Sequence, residues 1–332
     1  MMENFPTHQT LTEPQLSMLK LLLSRSQESL KTLLKNFFEK GDKPVTCTST
    51  YLYREGDIPV LIVSHLDTVF RQKPQDHEIY YDREYNVMWS PLGAGFDDRA
   101  GIFMTLLLHQ AGYMPYLLYC CDEEVGGTGA IKASSDLKDQ VTGKFKYIIE
   151  LDRRGADHCV FYRNDNKAFK EYVEDFGFVT QAGTFTDISY LAPDWNMSAV
   201  NLSVGYDNEH TYGEMLYVDW FFDTFNKVQN MLNAIAEAPY FNYVAASMTT
   251  GTLKYSNTAH HQTIVPKMYD YPYEDWYDDD YYGYSPAVGT RVCDLCDTPL
   301  DNVHTHYINS EEYGSLIVCD RCKKILESDN IK

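Results

Sequence analysis

Between residue 45 and about residue 238, short β-branched or apolar runs alternate with amphipathic stretches. Helices packed on both faces of a largely parallel sheet read this way, because strands buried on both sides lose the polar half of their period. The runs predict strands at Val60 to Ser64, Tyr116 to Cys121, Tyr147 to Leu151 and Ala199 to Val204, with helices at about 98 to 111 and 219 to 236. In the second helix Asp219 is the expected cap, and Phe222, Phe225, Val228, Met231, Leu232 and Ile235 share one face. The expected fold class is therefore α/β, a three-layer αβα domain with a mostly parallel central sheet over residues 45–240.

Residues 1–44 read as a helical segment covering that sheet. Thr12, Glu13, Pro14 and Gln15 form a capping box with proline in the first turn, and Leu16, Leu19, Leu22 and Leu23 follow at helical spacing. A second set, Leu30, Leu33, Leu34, Phe37 and Phe38, stops at Gly41, so the segment is two helices or one bent helix. After Pro239 the character changes. Residues 241–289, with their tyrosine- and aspartate-rich core at 266–286, have neither regular period and are expected to be a linker, part of which packs or floats.

Four apolar runs end in an acid or histidine, or lead to one through a short loop: VLIVSHLD to His65 and Asp67, YLLYCCDEE to Glu123 and Glu124, YIIELD to Asp152, and VNLSVGYDNEH to His210. In open parallel sheets the carboxyl ends of strands share one crevice, so these residues are expected to converge. Asp97, where GAGFDDRAG enters a helix, would face the same edge. Two histidines and three carboxylates suit zinc, which accepts both donor types and tolerates an open position. Isolated, His65 and His210 would read as core histidines; their joint contexts favour ligands.

The segments HLDTV, GAGFDDRAG, DEEVGGTGA, ELD and NEHT, in that order, resemble the zinc-dependent exopeptidase superfamily, which includes peptidase T, glutamyl aminopeptidase and leucyl-type aminopeptidases, over roughly residues 45–238. The resemblance implies a phosphorylase/hydrolase-like core in which His65 and Asp152 bind one zinc, Glu124 and His210 bind a second, and Asp97 bridges them. It further implies that Asp67 orients the His65 imidazole and that Glu123 is the general base of amide hydrolysis. The family spacing from the bridging aspartate to Gly101 favours Asp97 over Asp98, leaving Asp98 to satisfy backbone N–H groups at the helix start. Two catalytic Zn2+ ions are implied, with Co2+ or Mn2+ as alternatives.

Many relatives carry an inserted lid domain. Here the intervals from His65 to Asp97 and from Asp152 to His210 are too short for one, so a lidless enzyme is expected. Arg153 and Arg154 are unusual for the family and would pair with an acidic substrate group or, more commonly, with surface carboxylates. TFTDIS, with Thr186 and Asp187, resembles a family segment but equally fits a turn or helix cap. His77, His109 and His158 carry no motif.

Near the C-terminus Cys293, Cys296, Cys319 and Cys322 form two CxxC knuckles, the pattern of a structural zinc site. Residues 290–332 are therefore expected to be a small zinc ribbon holding one structural Zn2+, with His304 and His306 as non-ligands and protein contact as its use. The other four cysteines, Cys47, Cys120, Cys121 and Cys159, lie in or beside apolar runs as small hydrophobes, which fits a reducing compartment. With a formal charge of −20, nucleic acid and anionic membrane surfaces are disfavoured as partners. No apolar stretch spans a membrane and the N-terminus lacks signal-peptide order, so a cytoplasmic location is expected.

The function expected is a co-catalytic di-zinc hydrolase acting on a peptide, an aminopeptidase or dipeptidase. An N-acyl amino acid deacylase with the same metal site, acting on an acylated amino acid, and a non-catalytic adaptor are the alternatives.

Overall fold

The computed structural model describes residues 9–246, 305–310, 314–319 and position 323. Two N-terminal helices, α1 (Glu13–Leu23) and α2 (Gln27–Phe38), are separated at Ser26, which caps the second. The capping box at Thr12 and Gln15 is present as read from the sequence.

The remaining elements run β1 (Val45–Cys47), β2 (Tyr51–Arg54), β3 (Ile58–His65), β4 (Tyr80–Asp82), β5 (Val87–Trp89), α3 (Phe96–Gln110), β6 (Pro115–Cys120), α4 (Thr128–Asp136), α5 (Lys138–Val141) and β7 (Tyr147–Arg153). They continue through β8 (His158–Val160), α6 (Lys167–Glu174), β9 (Val179–Thr180), α7 (Ile188–Asp194), β10 (Ala199–Ser203), β11 (Tyr206–Asp207), β12 (Met215–Tyr217) and α8 (Val218–Asn233). A separate hairpin pairs β13 (Thr305–Ser310) with β14 (Gly314–Cys319).

The fold is α/β with a large, mostly parallel sheet in the order β1-β2-β6-β3-β7-β10-β8-β9. Its centre, β6, β3, β7 and β10, is parallel throughout, while β1 and β2 add an antiparallel edge. The period of two sorts each central strand between two cores. Val60 and Ile62 of β3 join Ile149 and Leu151 of β7 beneath α1, α2, α3 and α8, whereas Leu61, Val63 and Ile148 face α4, α5 and α7. Both faces are covered, which is why these strands read as continuous apolar runs.

The strand order fixes the crevice. From the central strand β3 the chain passes through α3 to β6 on one side, then through α4 to β7 on the other, so the connections diverge at β3. Ligands bind in such folds beyond the carboxyl ends of the strands at this point. The fit there is close: a Cβ on Gly101 of α3 would lie 2.0 Å from the Leu151 carbonyl oxygen of β7, so only glycine lets the helix approach.

Three expectations need correction. Helix α8 begins at Val218 with Tyr217 at its cap, and Asp219, inside the first turn, accepts from Asn86 Nδ2 at 2.8 Å. Cys47 is exposed, unlike buried Cys120, Cys121 and Cys159. The main unit also continues past residue 240: Phe241 is buried and Ala245 bridges to Asn164, so the first residues of the expected linker belong to it. The rest of that segment, and Cys293, Cys296, Cys322 and His304 of the expected ribbon, lie outside the described residues; Cys319 ends β14. No described helix is long and apolar enough to cross a membrane.

Candidate active site

His65 closes β3, and Asp67 lies two residues beyond. Asp97 sits where the chain enters α3 through non-helical backbone, and its peptide to Asp98 is cis. Glu123 and Glu124 follow β6 across a turn in which Asp122 has φ +60°. Asp152 lies near the end of β7, and His210 lies in the loop between β11 and β12 with φ +63°. A positive φ is uncommon for a non-glycine residue, although histidine adopts it more readily than most.

The structure brings these side chains together. Asp97 stands between the two imidazoles, with Oδ1 2.9 Å from His65 Nε2 and Oδ2 3.2 Å from His210 Nε2. Asp152 Oδ1 lies 3.3 Å from the same His65 nitrogen, and Glu124 Oε2 lies 3.1 Å from the same His210 nitrogen. Each Nε2 therefore faces two carboxylate oxygens, more than one N–H can serve. Glu123 makes no ion pair with either imidazole among the described residues, and its carboxyl is pushed up to about 9, mainly by burial and further by Asp152, Asp187 and Glu124 against the opposing pull of His65.

Asp67 works in two directions. Its Oδ1 approaches His65 Nδ1 at 3.3 Å, and its two oxygens accept the backbone N–H groups of Glu123 and Glu124, each at 3.0 Å. Asp98 is engaged elsewhere: it accepts from His65 N at 3.1 Å and from Gly101 N at 3.0 Å. Its carboxyl groups spatially with His65 and Asp152, as Asp97 does with His65 and Glu124. Asp98 thus gives one oxygen to each of two backbone groups, whereas both Asp97 oxygens face imidazoles.

The carboxylates and the two imidazoles shift one another strongly. Hydrogen bonds to Asp97 and Glu124 push His210 up to about 11. Burial opposes charge on His65, yet Asp152, Asp67 and Asp97 hold it well above the usual imidazole range. Burial would raise Asp97, but His210 and His65 carry it below the usual carboxylate range. Asp152 rises to about 6, through burial and the Asp97 charge. Clustered, partly buried carboxylates with two imidazoles form a donor set of the kind that binds a divalent metal such as zinc, and His65, Asp97, Glu124, Asp152 and His210 are the residues that fit it.

The neighbouring carboxylates favour the protonated form of both imidazoles, so protons and metal compete for the same nitrogens. A histidine must be neutral to coordinate, so protons compete with metal and apparent affinity must rise with pH. Between about pH 6 and 9 the logarithm of zinc affinity is expected to climb with a slope of about one to two, one proton released per imidazole. Competition titration with a fluorescent chelator reads this slope, and a flat profile would contradict the arrangement.

The fold recurs in solved structures. Aminopeptidase PepT from Bacillus cereus superposes with a TM-score of 0.55 at 13% identity, over 68% of this chain and 99% of that one. A tripeptidase from Staphylococcus aureus gives 0.53 at 11% identity, over 69% and 100%. An aminopeptidase from the archaeon Desulfurococcus kamchatkensis gives 0.52 at 13%, over 68% and 97%. This chain has their fold. No family model and no curated protein matches it.

Glu214, Asn201 and Tyr206 escape the sequence reading, whereas Thr186 and Asp187 appear in it as part of a family-like segment or a turn or cap. Glu214 is fully buried and accepts from Gly95 N at 2.6 Å and Asp97 N at 3.0 Å, fixing the loop that carries Asp97; burial raises its carboxyl to about 7. Asn201 accepts from Asp152 N at 3.0 Å, and Tyr206 and Thr186 hydroxyls donate to Asp152 at 3.2 and 3.0 Å. Asn201 had a signal, a polar residue inside an apolar strand run, which must find a partner when buried. Asp187 starts α7 but its side chain caps nothing; it is buried beside the Cys120 thiol, and burial raises its carboxyl to about 7.

The remaining candidates lie apart. Arg154 pairs with Glu209 at 2.8 Å, the surface reading, and Arg153 donates to the Ala182 carbonyl at 3.5 Å. His109 packs edge-on against Phe37 and Phe38, His77 is exposed in a 3-10 turn, and His158 opens β8.

Proposed function

We propose that this protein is a co-catalytic di-zinc hydrolase that cleaves an amide bond of a peptide, as an aminopeptidase or dipeptidase. The observation that carries the reading is Asp97, whose two oxygens each face a different imidazole while Asp152 and Glu124 complete the two halves. Solved structures with this fold include an aminopeptidase and a tripeptidase, which supports a peptide substrate.

In this reading His65 and Asp152 hold one metal, Glu124 and His210 the other, and Asp97 both. A bound pair of zinc ions supplies Lewis acidity to the scissile carbonyl and lowers the pKa of the attacking water. The chain supplies the rest. Glu123 takes the proton of that water and returns it to the leaving amine, a role open to a carboxylate that stays out of the metal donor set. Asp67 keeps the His65 ring oriented and the Glu123 backbone in place. Thr186, Asn201 and Tyr206 hold the Asp152 carboxylate.

The C-terminal knuckles, Cys293 with Cys296 and Cys319 with Cys322, are proposed to bind a third, structural zinc, for which four thiolates close the coordination shell. The test combines metal analysis with hydrolysis of aminoacyl-arylamides, dipeptides and N-acyl amino acids, before and after chelation. About three zinc ions per chain and chelation-sensitive release of an N-terminal residue are expected. Metal binding with no hydrolysis across the panel would overturn the enzymatic reading, and cleavage of N-acyl amino acids alone would move the substrate to that class.

A further inference from the structure

We propose that Gln27, at the start of α2, is a positioning residue that holds the turn carrying Glu123. This rests on the reading of Glu123 as the base. Three consecutive backbone N–H groups of that turn are claimed by side chains from elsewhere in the chain. Those of Glu123 and Glu124 go to Asp67, and that of Asp122 goes to Gln27 Oε1 at 3.0 Å. The Gln27 amide closes the pair by donating from Nε2 to Asp122 Oδ1 at 2.9 Å.

The path of the turn suits such a clamp. Asp122 occupies the left-handed region at φ +60°, which aspartate tolerates better than most residues with a Cβ, and its side chain is then held by Gln27. The chain then bends back through Gly126 and Gly127, whose N–H groups return to the Glu123 and Asp122 carbonyls at 3.0 and 2.8 Å. Those bonds hold carbonyl groups of the turn, while the N–H groups of Asp122, Glu123 and Glu124 are held by side chains from outside it. Gln27 and Asp67 grip it from opposite segments.

Gln27 is itself fixed relative to the crevice. Arg99, buried at the start of α3, donates from NH2 to the Arg25 carbonyl at 3.1 Å and from NH1 to the Leu66 carbonyl, between His65 and Asp67. The α1–α2 turn is thus tied to the β3 loop, and Gln27 carries that tie across to the Glu123 loop. Helix α2 does not depend on Gln27 for its own stability, since it is anchored by buried Leu30, Leu34 and Phe38 and capped by Ser26.

The test compares Gln27→Ala, Gln27→Glu and the double variant Gln27→Glu/Asp122→Asn, in which donor and acceptor exchange sides and both hydrogen bonds can re-form. Misplacing a base by a fraction of an ångström costs rate, so kcat in Gln27→Ala is expected to fall between about tenfold and a hundredfold while KM and zinc content stay unchanged. Gln27→Glu sets two carboxylates face to face and is expected to be at least as impaired. The double variant should regain most of the loss. Peptide-level hydrogen exchange over residues 122–126 should accelerate in both single variants and slow again in the double.

Wild-type kcat and wild-type exchange in Gln27→Ala would overturn the proposal, as would a double variant no better than Gln27→Glu. If the wild-type protein hydrolyses nothing, the functional reading falls on its own, and exchange still decides whether Gln27 holds the turn.

Discussion

Glu123→Gln is expected to keep its full zinc complement and lose about three to four orders of magnitude in kcat, the upper range for removal of a general base. The substitution preserves shape and leaves the backbone N–H of Glu123 on Asp67, so the turn and the metal donors remain in place. Only the proton acceptor is removed. Single-turnover hydrolysis alongside zinc analysis separates the two quantities. Turnover near wild type would remove Glu123 from its role; a simultaneous loss of zinc would mean that its carboxylate is a ligand.

Asp97→Ala should have the opposite signature, losing metal first and activity as a consequence. Loss of an outer-shell partner weakens metal binding by up to about 100-fold, and a carboxylate facing both imidazoles should cost more than that. Neither half of the site has a substitute for it, because Asp152 contacts only His65 and Glu124 only His210 among the described ion pairs. Asp98→Ala provides the contrast. It strands the N–H groups of His65 and Gly101, each worth about 1–3 kcal/mol when left unsatisfied, so it should lower thermal stability with zinc stoichiometry retained. Isothermal titration of zinc into both variants distinguishes them, and metal loss from Asp98→Ala with full retention in Asp97→Ala would reverse the assignment of these neighbours.

The α/β architecture was legible because its signal is local. Strands buried on both faces must be apolar at every position, so β3, β6, β7 and β10 announced themselves within a residue or two of their ends. The convergence of His65, Asp97, Glu124, Asp152 and His210 followed from the same pattern, since parallel strands put their carboxyl ends on one edge. The short strands β4, β5, β11 and β12 were not legible. They form a four-stranded sheet that flanks the His210 loop and the approach to Asp97, but two or three residues are too few to display a period.

The composition of the site is thus a property of the sequence, and its alignment is a property of the folded chain. Order and spacing of the motifs name the groups that meet. Why Glu214 is buried under Gly95 and how Gln27 reaches a turn 95 positions away depend on loop paths set by packing. Such contacts leave no periodic trace: a hydrogen bond between distant segments constrains two side chains and a geometry, and nothing in the residues between them.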